Sequence, residues 1–520
     1  MPVMKKNSLY IFPVSFVLMA VIYLSCNKST TERNDLFPAL TPAKLDINAG
    51  TWKTVLLSSP TEFFVAAPVA TSSPAYQAEL NEIKGLQKSL TSKQKEIIKY
   101  WSAGAVLRWN EILRELVARH NLAPYQNEDG SYPAPNSANP FAYPQFPFSN
   151  PPYASRSYAY VSAAQYDALV AAWHYKKLYN RSAPYKVDST VQALVPRSDL
   201  PSYPSEDAVV EGAAVEILKL LFPTEIAYVQ EKADEHRLYR IMSGANVRSE
   251  IEAGEALGKL VAQKFAARAR TDKAGQAIGT AVYWKQLEDI TIARGEACWI
   301  SLESPKRPPM LPLFCKVTPF LFDTLTVIAI RPPAPPSTHS DQFKKETEEV
   351  LWYSQHATRE RMAIVHFWAD GTGTYSPPGH WDAIASEEFV KENFSEVRWA
   401  RNMALLNMSL MDAGIICWDA KYFYFNPRPS QVDPSIKSLT GVPNFPSYTS
   451  GHSTFSAAAA TILTHILPDR GSKFNDMAQE ASMSRLYGAI HYRSDCQAGL
   501  ESGKKVGEYA VQRAKTDGAD

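Results

Sequence analysis

Apolar residues recur every three or four positions through most of the chain, the spacing of one helical face. Between 80 and 120, Ile97, Ile98, Trp101, Val106, Leu107, Ile112, Leu113, Leu116 and Val117 keep that period and predict helix. The same spacing predicts helices over 157–177, 206–221, 250–268, 342–368, 386–418, 452–466 and 495–513. No series of alternating apolar and polar residues competes for strand. Proline- and aromatic-rich stretches at 125–152 and 304–336 interrupt the helices. Proline fixes φ and donates no N–H, so these stretches read as an ordered loop and a connector. The expectation is an all-α protein.

The pattern also repeats at a separation of 245 residues. In that register Asp167-Ala168 meets Asp412-Ala413, Trp173 meets Trp418, Lys176 meets Lys421, and Tyr179 meets Tyr424. Pro201-Ser202-Tyr203 meets Pro446-Ser447-Tyr448, Ser205 meets Ser450, Arg240 meets Arg485, and Ala253-Gly254 meets Ala498-Gly499. Matching tryptophan, proline and glycine punctuation points to two related helical bundles from an internal duplication. The halves are 76–290 and 346–515, joined by a proline-rich connector at 291–345. The copies differ in their chemistry. Gly451-His452 corresponds to Glu206-Asp207, Arg428 to Ala183, and His491 to Asn246. Only the C-terminal copy is therefore expected to carry a site, with the first as degenerate scaffold.

Lys5 and Lys6 precede an apolar run over 9–24, followed by Ser25 and Cys26. This reads as a signal peptide over 1–26, and Leu24-Ser25-Cys26 resembles a bacterial lipobox with Cys26 as the lipidated residue. Ordinary signal cleavage and a retained anchor are the alternatives. Residues 27–75 then read as a polar tether. The expected location is outside the cytoplasm, as a periplasmic or outer-membrane-attached lipoprotein touching membrane only through its N-terminal lipid. A formal charge of +1 over 520 residues argues against a general nucleic-acid binder, yet permits a buried cationic pocket. Cys298, Cys315, Cys417 and Cys496 match no zinc spacing. Two readings of Cys298 and Cys315 stand, a disulfide or buried free thiols.

Three segments of the second half carry the chemistry. A proline-rich loop runs into Ser450-Gly451-His452, and a small, helix-favouring run follows. That puts Ser450 and Gly451 at a helix N-terminus, where free N–H groups and the helix dipole favour an anion. Gly451 allows close backbone approach, and Ser450 adds a hydroxyl. His491 and Asp495 are four residues apart and are expected to share a helical face. The carboxylate would accept the Nδ1 proton and leave Nε2 as ligand or nucleophile. Lys421, Arg428 and Arg485 supply three cations, the arginines as planar forks for paired oxygens. Singly, each feature is common. Together they describe a pocket for a tetrahedral oxyanion, with His452 as acid–base. Asp370, His380 and Trp381 fall in a Gly/Pro-rich loop that roofs the pocket and stay outside the catalytic set.

Lys421…Arg428-Pro429, Thr449-Ser450-Gly451-His452 and Ser484-Arg485…His491…Asp495 resemble the signature of vanadium-dependent haloperoxidases and type 2 phosphatidic acid phosphatases. Thr449 stands where that signature has proline. The resemblance implies a duplicated helical bundle in which Lys421, Arg428, Ser450, Gly451 and Arg485 bind vanadate oxygens. His491 would ligate vanadium, His452 would move protons, and Asp495 would orient His491. Trp418 and Phe445 would line a halide pocket, with hydrogen peroxide and halide as substrates. The other branch implies phosphate in the same cradle. There His491 attacks a phosphomonoester to give a phosphohistidine, and His452 protonates the leaving alcohol. Length and duplication favour the haloperoxidase branch. A third reading is a non-enzymatic helical surface lipoprotein with a vestigial site.

Overall fold

Hydroxyl and amide side chains start half of the α-helices, each accepting a first-turn N–H that has no partner inside the helix. In the computed structural model, which describes residues 37–122, 127–129, 149–304 and 306–519, Ser73 caps α1 (Pro74–Gln87) and Thr91 with Gln94 forms a capping box on α2 (Ser92–Trp101). Helix α3 (Ala105–His120) follows. Asn150 caps the long α4 (Pro151–Tyr179), which ends at Asn180 in the left-handed conformation. Then come α5 (Pro184–Val187), α6 (Glu206–Leu221), α7 (Ile226–Met242), α8 (Arg248–Thr271), α9 (Ala281–Ala293) and α10 (Thr324–Ala329). Ser340, Thr358 and Ser395 cap α11 (Asp341–Gln355), α12 (Arg359–Phe367) and α14 (Glu396–Tyr424), with α13 (Ser376–Phe389) between the last two. The chain closes with α15 (Pro429–Val432), α16 (Gly451–Ile466), α17 (Gly471–Tyr487) and α18 (Arg493–Ala514). The fold is all-α, and none of its described helices is long and apolar enough to cross a membrane.

The stretch expected as one helix over 80–120 is three helices, and 342–368 is two. The 386–418 stretch joins the end of α13 to the start of α14. The apolar period runs on across these breaks, but a capping Thr91, Thr358 or Ser395 restarts the helix at three of them and Gly104, at positive φ, interrupts it at the fourth. The supposed roof loop around His380 and Trp381 is helical, because Pro377 and Pro378 sit in its first turn, where no N–H is needed.

Helices α4 to α8 recur as α14 to α18, each starting 245 residues after its counterpart. Helices α1 and α2 recur as α11 and α12 in a second register, 267 residues apart. Contacts recur with them. Trp101 Nε1 donates to Glu235 at 2.9 Å, as Trp368 Nε1 donates to Glu480 at 2.9 Å. Ser249 N donates to Glu79, and Ser494 N to Glu346. Asp167 accepts the N–H groups of Val55, Leu56 and Leu57, while Asp412 accepts those of Phe320 and Leu321. Tyr179 and Tyr203 donate to the carbonyls of Val65 and Ala66, as Tyr424 and Tyr448 donate to those of Pro332 and Pro333.

These last pairs correct two expectations. Residues 39–75 are not a loose tether but belong to the compact unit Ala39–Asp520. The connector around 320–333 is likewise a strap bound along its own half. The signal-peptide and lipobox segment, 1–26, lies outside the described residues. Cys298, Cys315, Cys417 and Cys496 are free thiols, so Cys298 and Cys315 do not form a disulfide.

Helices α4 and α14 pack together at the centre, where Asn407 donates to Ser162, its counterpart in the 245-residue register, at 3.1 Å. Within each half, glycines let two helices touch backbone to backbone. A Cβ on Gly503 of α18 would lie 2.1 Å from Thr454 O of α16, and one on Gly258 of α8 would lie 2.3 Å from Val209 O of α6. That close pairing holds the N-terminus of α16 against the start of α18, and the candidate site lies between them.

Candidate active site

Ser450 is the N-cap of α16: its Oγ accepts the N–H of Ser453, and its own N–H donates to the Asp495 carbonyl at 3.0 Å. Gly451 and His452 open the helix, so their N–H groups have no intrahelical acceptor. A Cβ built on Gly451 would meet only Cys417 Sγ and Phe455, both at 4.0 Å, so open space lies beside this backbone.

Arg428 caps α15 and is fully buried. Its Nε donates to Phe445 O at 2.9 Å, and its Nη1 to Ile490 O at 2.7 Å and His491 Nε2 at 3.1 Å. Its Nη2 is buried with no partner among the described residues. Arg485, near the end of α17, is held by Ser484 Oγ and the Val365 carbonyl. Lys421, one turn from the end of α14, stands behind the cradle. Its ammonium donates to the carbonyls of Pro446, Ser447 and Thr449 at 2.8, 2.9 and 2.5 Å. It fastens the loop and lends charge, with each of its three protons matched by a carbonyl.

His491 and Asp495 do meet, at 3.0 Å, but not along one helical face. His491 precedes α18, and Asp495 is the third residue of that helix, closing a capping box on Tyr492 N. Ser447 Oγ also donates to Asp495, at 2.5 Å. With Nδ1–H directed at the carboxylate and Nε2 accepting from Arg428, the ring is neutral and its tautomer is fixed. His452 presents Nε2, buried with no hydrogen-bond partner among the described residues and 4.0 Å from Asp370 Oδ2.

Burial and the neighbouring cations hold both imidazoles well below their usual range, Arg428 and Lys421 acting on His491 and Arg485 on His452. Burial also pulls Lys421 down and brings Arg428 and Arg485 to about 10, which leaves both arginines charged at neutral pH. It pushes the Asp495 carboxyl up. Three buried cations thus lie near two carboxylates, Lys421 and Arg428 acting on Asp495 and Arg485 on Asp370. Buried cations in excess of their carboxylates are costly unless an anion completes the set.

The Trp418 and Phe445 rings meet at 5.1 Å, tilted by 51°, beside the cations, with the Phe445 ring 4.9 Å from Lys421 Nζ and 5.0 Å from the Arg428 guanidinium. The indole N–H of Trp418 donates to Met310 O, so Trp418 offers this wall only its ring.

The N-terminal half provides an internal control. Asn246 donates to Glu250 at 3.1 Å and Ser202 donates to Glu250 at 2.8 Å, repeating the His491–Asp495 and Ser447–Asp495 pairs. Lys176 reaches the Pro201 carbonyl and lies 3.3 Å from Glu206, the residue that replaces Gly451. Arg240, the counterpart of Arg485, pairs with Asp207 at 3.2 Å. In this half the chain supplies its own carboxylates to the cations.

Two groups that the sequence had left out belong to the site. Asp370, in the left-handed region at φ 44°, accepts from His380 Nδ1 at 3.1 Å and faces both His452 and Arg485. The usable signal was Asp-Gly followed by Pro-Pro-Gly-His, a sharp turn into a helix start that returns His380 to Asp370.

Residues 402–504 match the family model described as PAP2 superfamily, a span that contains every motif from Lys421 to Asp495. The superfamily those motifs resemble is the one matched. Two solved structures share the fold. A bacterial vanadium-dependent iodoperoxidase aligns with a TM-score of 0.59 and 22% identity, over 79% of this chain and 96% of its own. A bacterial vanadium-dependent chloroperoxidase in its holo form aligns with a TM-score of 0.50 and 13% identity, over 73% and 96%. No curated protein sequence matches the chain.

Proposed function

We propose that the C-terminal half binds vanadate and uses it with hydrogen peroxide to oxidise halide. The observation that carries this reading is the buried Arg428 guanidinium, with Nη2 unpartnered beside the neutral His491 Nε2. The donor set fits a tetrahedral oxyanion: Arg428, Arg485, the helix-end N–H groups and open space at Gly451. Vanadate, when bound, supplies a Lewis-acidic centre that activates peroxide. His491 offers Nε2 as the protein's ligand atom once the Arg428 Nη1 hydrogen bond to it gives way, with Asp495 and Ser447 fixing the ring. His452 Nε2 takes up and returns protons, steadied by Asp370. The Trp418 and Phe445 rings keep water from one wall, where a weakly hydrated halide meets the positive field of Lys421 and Arg428. The likeness to an iodoperoxidase and a chloroperoxidase supports the substrate class.

A second reading is a phosphatase acting on phosphomonoesters, favoured by the same His491. A neutral Nε2 held by a carboxylate at Nδ1 is equally suited to attack phosphorus and form a phosphohistidine. The test is a halogenation assay with bromide, peroxide and a phenolic dye, with and without added vanadate, followed by p-nitrophenyl phosphate without vanadate. Vanadate-dependent dye bromination supports the first reading. Phosphatase activity that vanadate abolishes, with no bromination, replaces it with the second. A vestigial scaffold would show neither activity and no thermal protection by vanadate. We also propose export as a lipoprotein through Cys26, tested by mass spectrometry of the mature N-terminus. An unmodified N-terminus beginning elsewhere would reject it.

A further inference from the structure

The N-terminal half keeps a cavity where its sister half has the cradle. We propose that this cavity, walled by Glu206, Asp207, Glu396, Tyr185 and Tyr239, binds a small organic ammonium cation. The inference does not depend on the function proposed for the other half.

The cavity has a volume of about 110 Å³. Replacing Gly451, His452 and Arg428 by Glu206, Asp207 and Ala183 has inverted its charge balance. Lys176 and Arg240 are already engaged, the first with Glu206 at 3.3 Å and the second with Asp207 at 3.2 Å. A third carboxyl, Glu396 at the start of α14, is left without a cation. One of its oxygens accepts Val106 N–H at 2.5 Å. The other, beside Gly104 at the cavity wall, has no partner among the described residues. The residue is 8% exposed. Burial, with Asp207 and Glu206 nearby, pushes Glu396 up to about 8, against the pull of Arg240. The other charged or titratable groups lining this space are Lys176 of α4, Tyr185 of α5 and Tyr239 of α7. An ammonium group would pair with Glu396 as a carboxylate, and the rings of Tyr185 and Tyr239 suit its alkyl part and its charge. Among the described residues no three His, Cys, Asp or Glu side chains are gathered to hold a metal ion, which favours an organic cation.

The test is calorimetric titration of the full chain with ethylammonium chloride at pH 7, against equal sodium chloride, in PIPES and in HEPES. Saturable binding is expected, with about one proton released per cation because Glu396 begins protonated; the two buffers report that proton through their different ionisation heats. Glu396→Gln should weaken binding at least 10-fold and abolish the proton release, while vanadate binding and the circular dichroism spectrum stay unchanged. Ala183→Arg places a tethered guanidinium in the cavity and should also block ethylammonium, which covers the case where Glu396→Gln fails to fold. No saturable binding to the natural protein, or binding that survives either folded variant, overturns the proposal.

Discussion

At Arg428 the guanidinium gives only part of its hydrogens to the fold, because Nε and Nη1 hold Phe445, Ile490 and His491 while Nη2 has no partner among the described residues. Arg428→Lys keeps the charge but loses the fork, and should weaken vanadate binding about 10- to 100-fold, the range of one hydrogen bond to a charged group. Calorimetric titration measures this, and unchanged affinity would show that Nη2 does not face the anion. His491→Ala should lose vanadate binding outright. His452→Ala should keep it and lose about 10²- to 10⁴-fold in turnover, the usual scale of acid–base help; halogenation kinetics on vanadate-loaded protein separate the two. The motifs named these residue types, but not the task of each one. Lys421 was expected among the ligands, yet the carbonyls of Pro446, Ser447 and Thr449 match its protons. Asp370 looked like an ordinary loop aspartate because its partners, His380 and His452, are brought to it only by the packing of α13 and α16.

Between helices, two glycines of the same half make opposite predictions. Gly503 lies on the α16–α18 contact, and its substitution by Ala forces a methyl into Thr454 O. Overpacking of this kind costs about 1–3 kcal/mol or more, and should appear as a lower midpoint in thermal or denaturant unfolding. Gly451→Ala meets nothing closer than 4.0 Å. It should fold with near-normal stability and lose vanadate affinity, because its methyl enters the cradle. A stable Gly503→Ala, or a Gly451→Ala that binds vanadate normally, would contradict this account of the two helix ends. The 245-residue register was readable because tryptophans, prolines and glycines punctuate α4 to α8 and α14 to α18 alike. The 267-residue register of α1 and α2 with α11 and α12 was harder to see, because it pairs few such residues, among them Trp101 with Trp368 and Gly104 with Gly371, and its other anchors, Glu79 and Glu346, are surface-type residues whose meaning lies in the N–H groups they cap. Helix α7 escaped for a related reason, since charges such as Glu231, Lys232, Asp234 and Arg237 blur its apolar period.

For the whole molecule, buried carboxyls set a pH trend. Glu396 is pushed up to about 8, and Glu250 and Asp382 to about 7, all chiefly by burial. Each holds a proton when folded that the unfolded chain has released. Their contribution to stability is complete below the unfolded carboxyl values and is lost as pH rises through 7 to 8. His236, His452 and His491 are lowered, so their contribution is lost only as pH falls below 6.5. Lys421, also lowered, offsets one carboxyl. Lowering pH from 8.5 to 6.5 should therefore raise the unfolding free energy, by about 1.4 kcal/mol per pH unit for each fully titrating group in excess, and with it the thermal midpoint. A midpoint that falls over that range would contradict these assignments.

Helices and contacts recur between the two halves, and the proposed function has a ligand, rather than the chain's own carboxylates, neutralise the buried cations of the second. Equilibrium dialysis of the full chain against vanadate tests that difference most directly. One vanadate bound per chain, lost in His491→Ala and retained in Asn246→Ala, is the predicted result. No binding, binding of two, or binding that survives His491→Ala would contradict it.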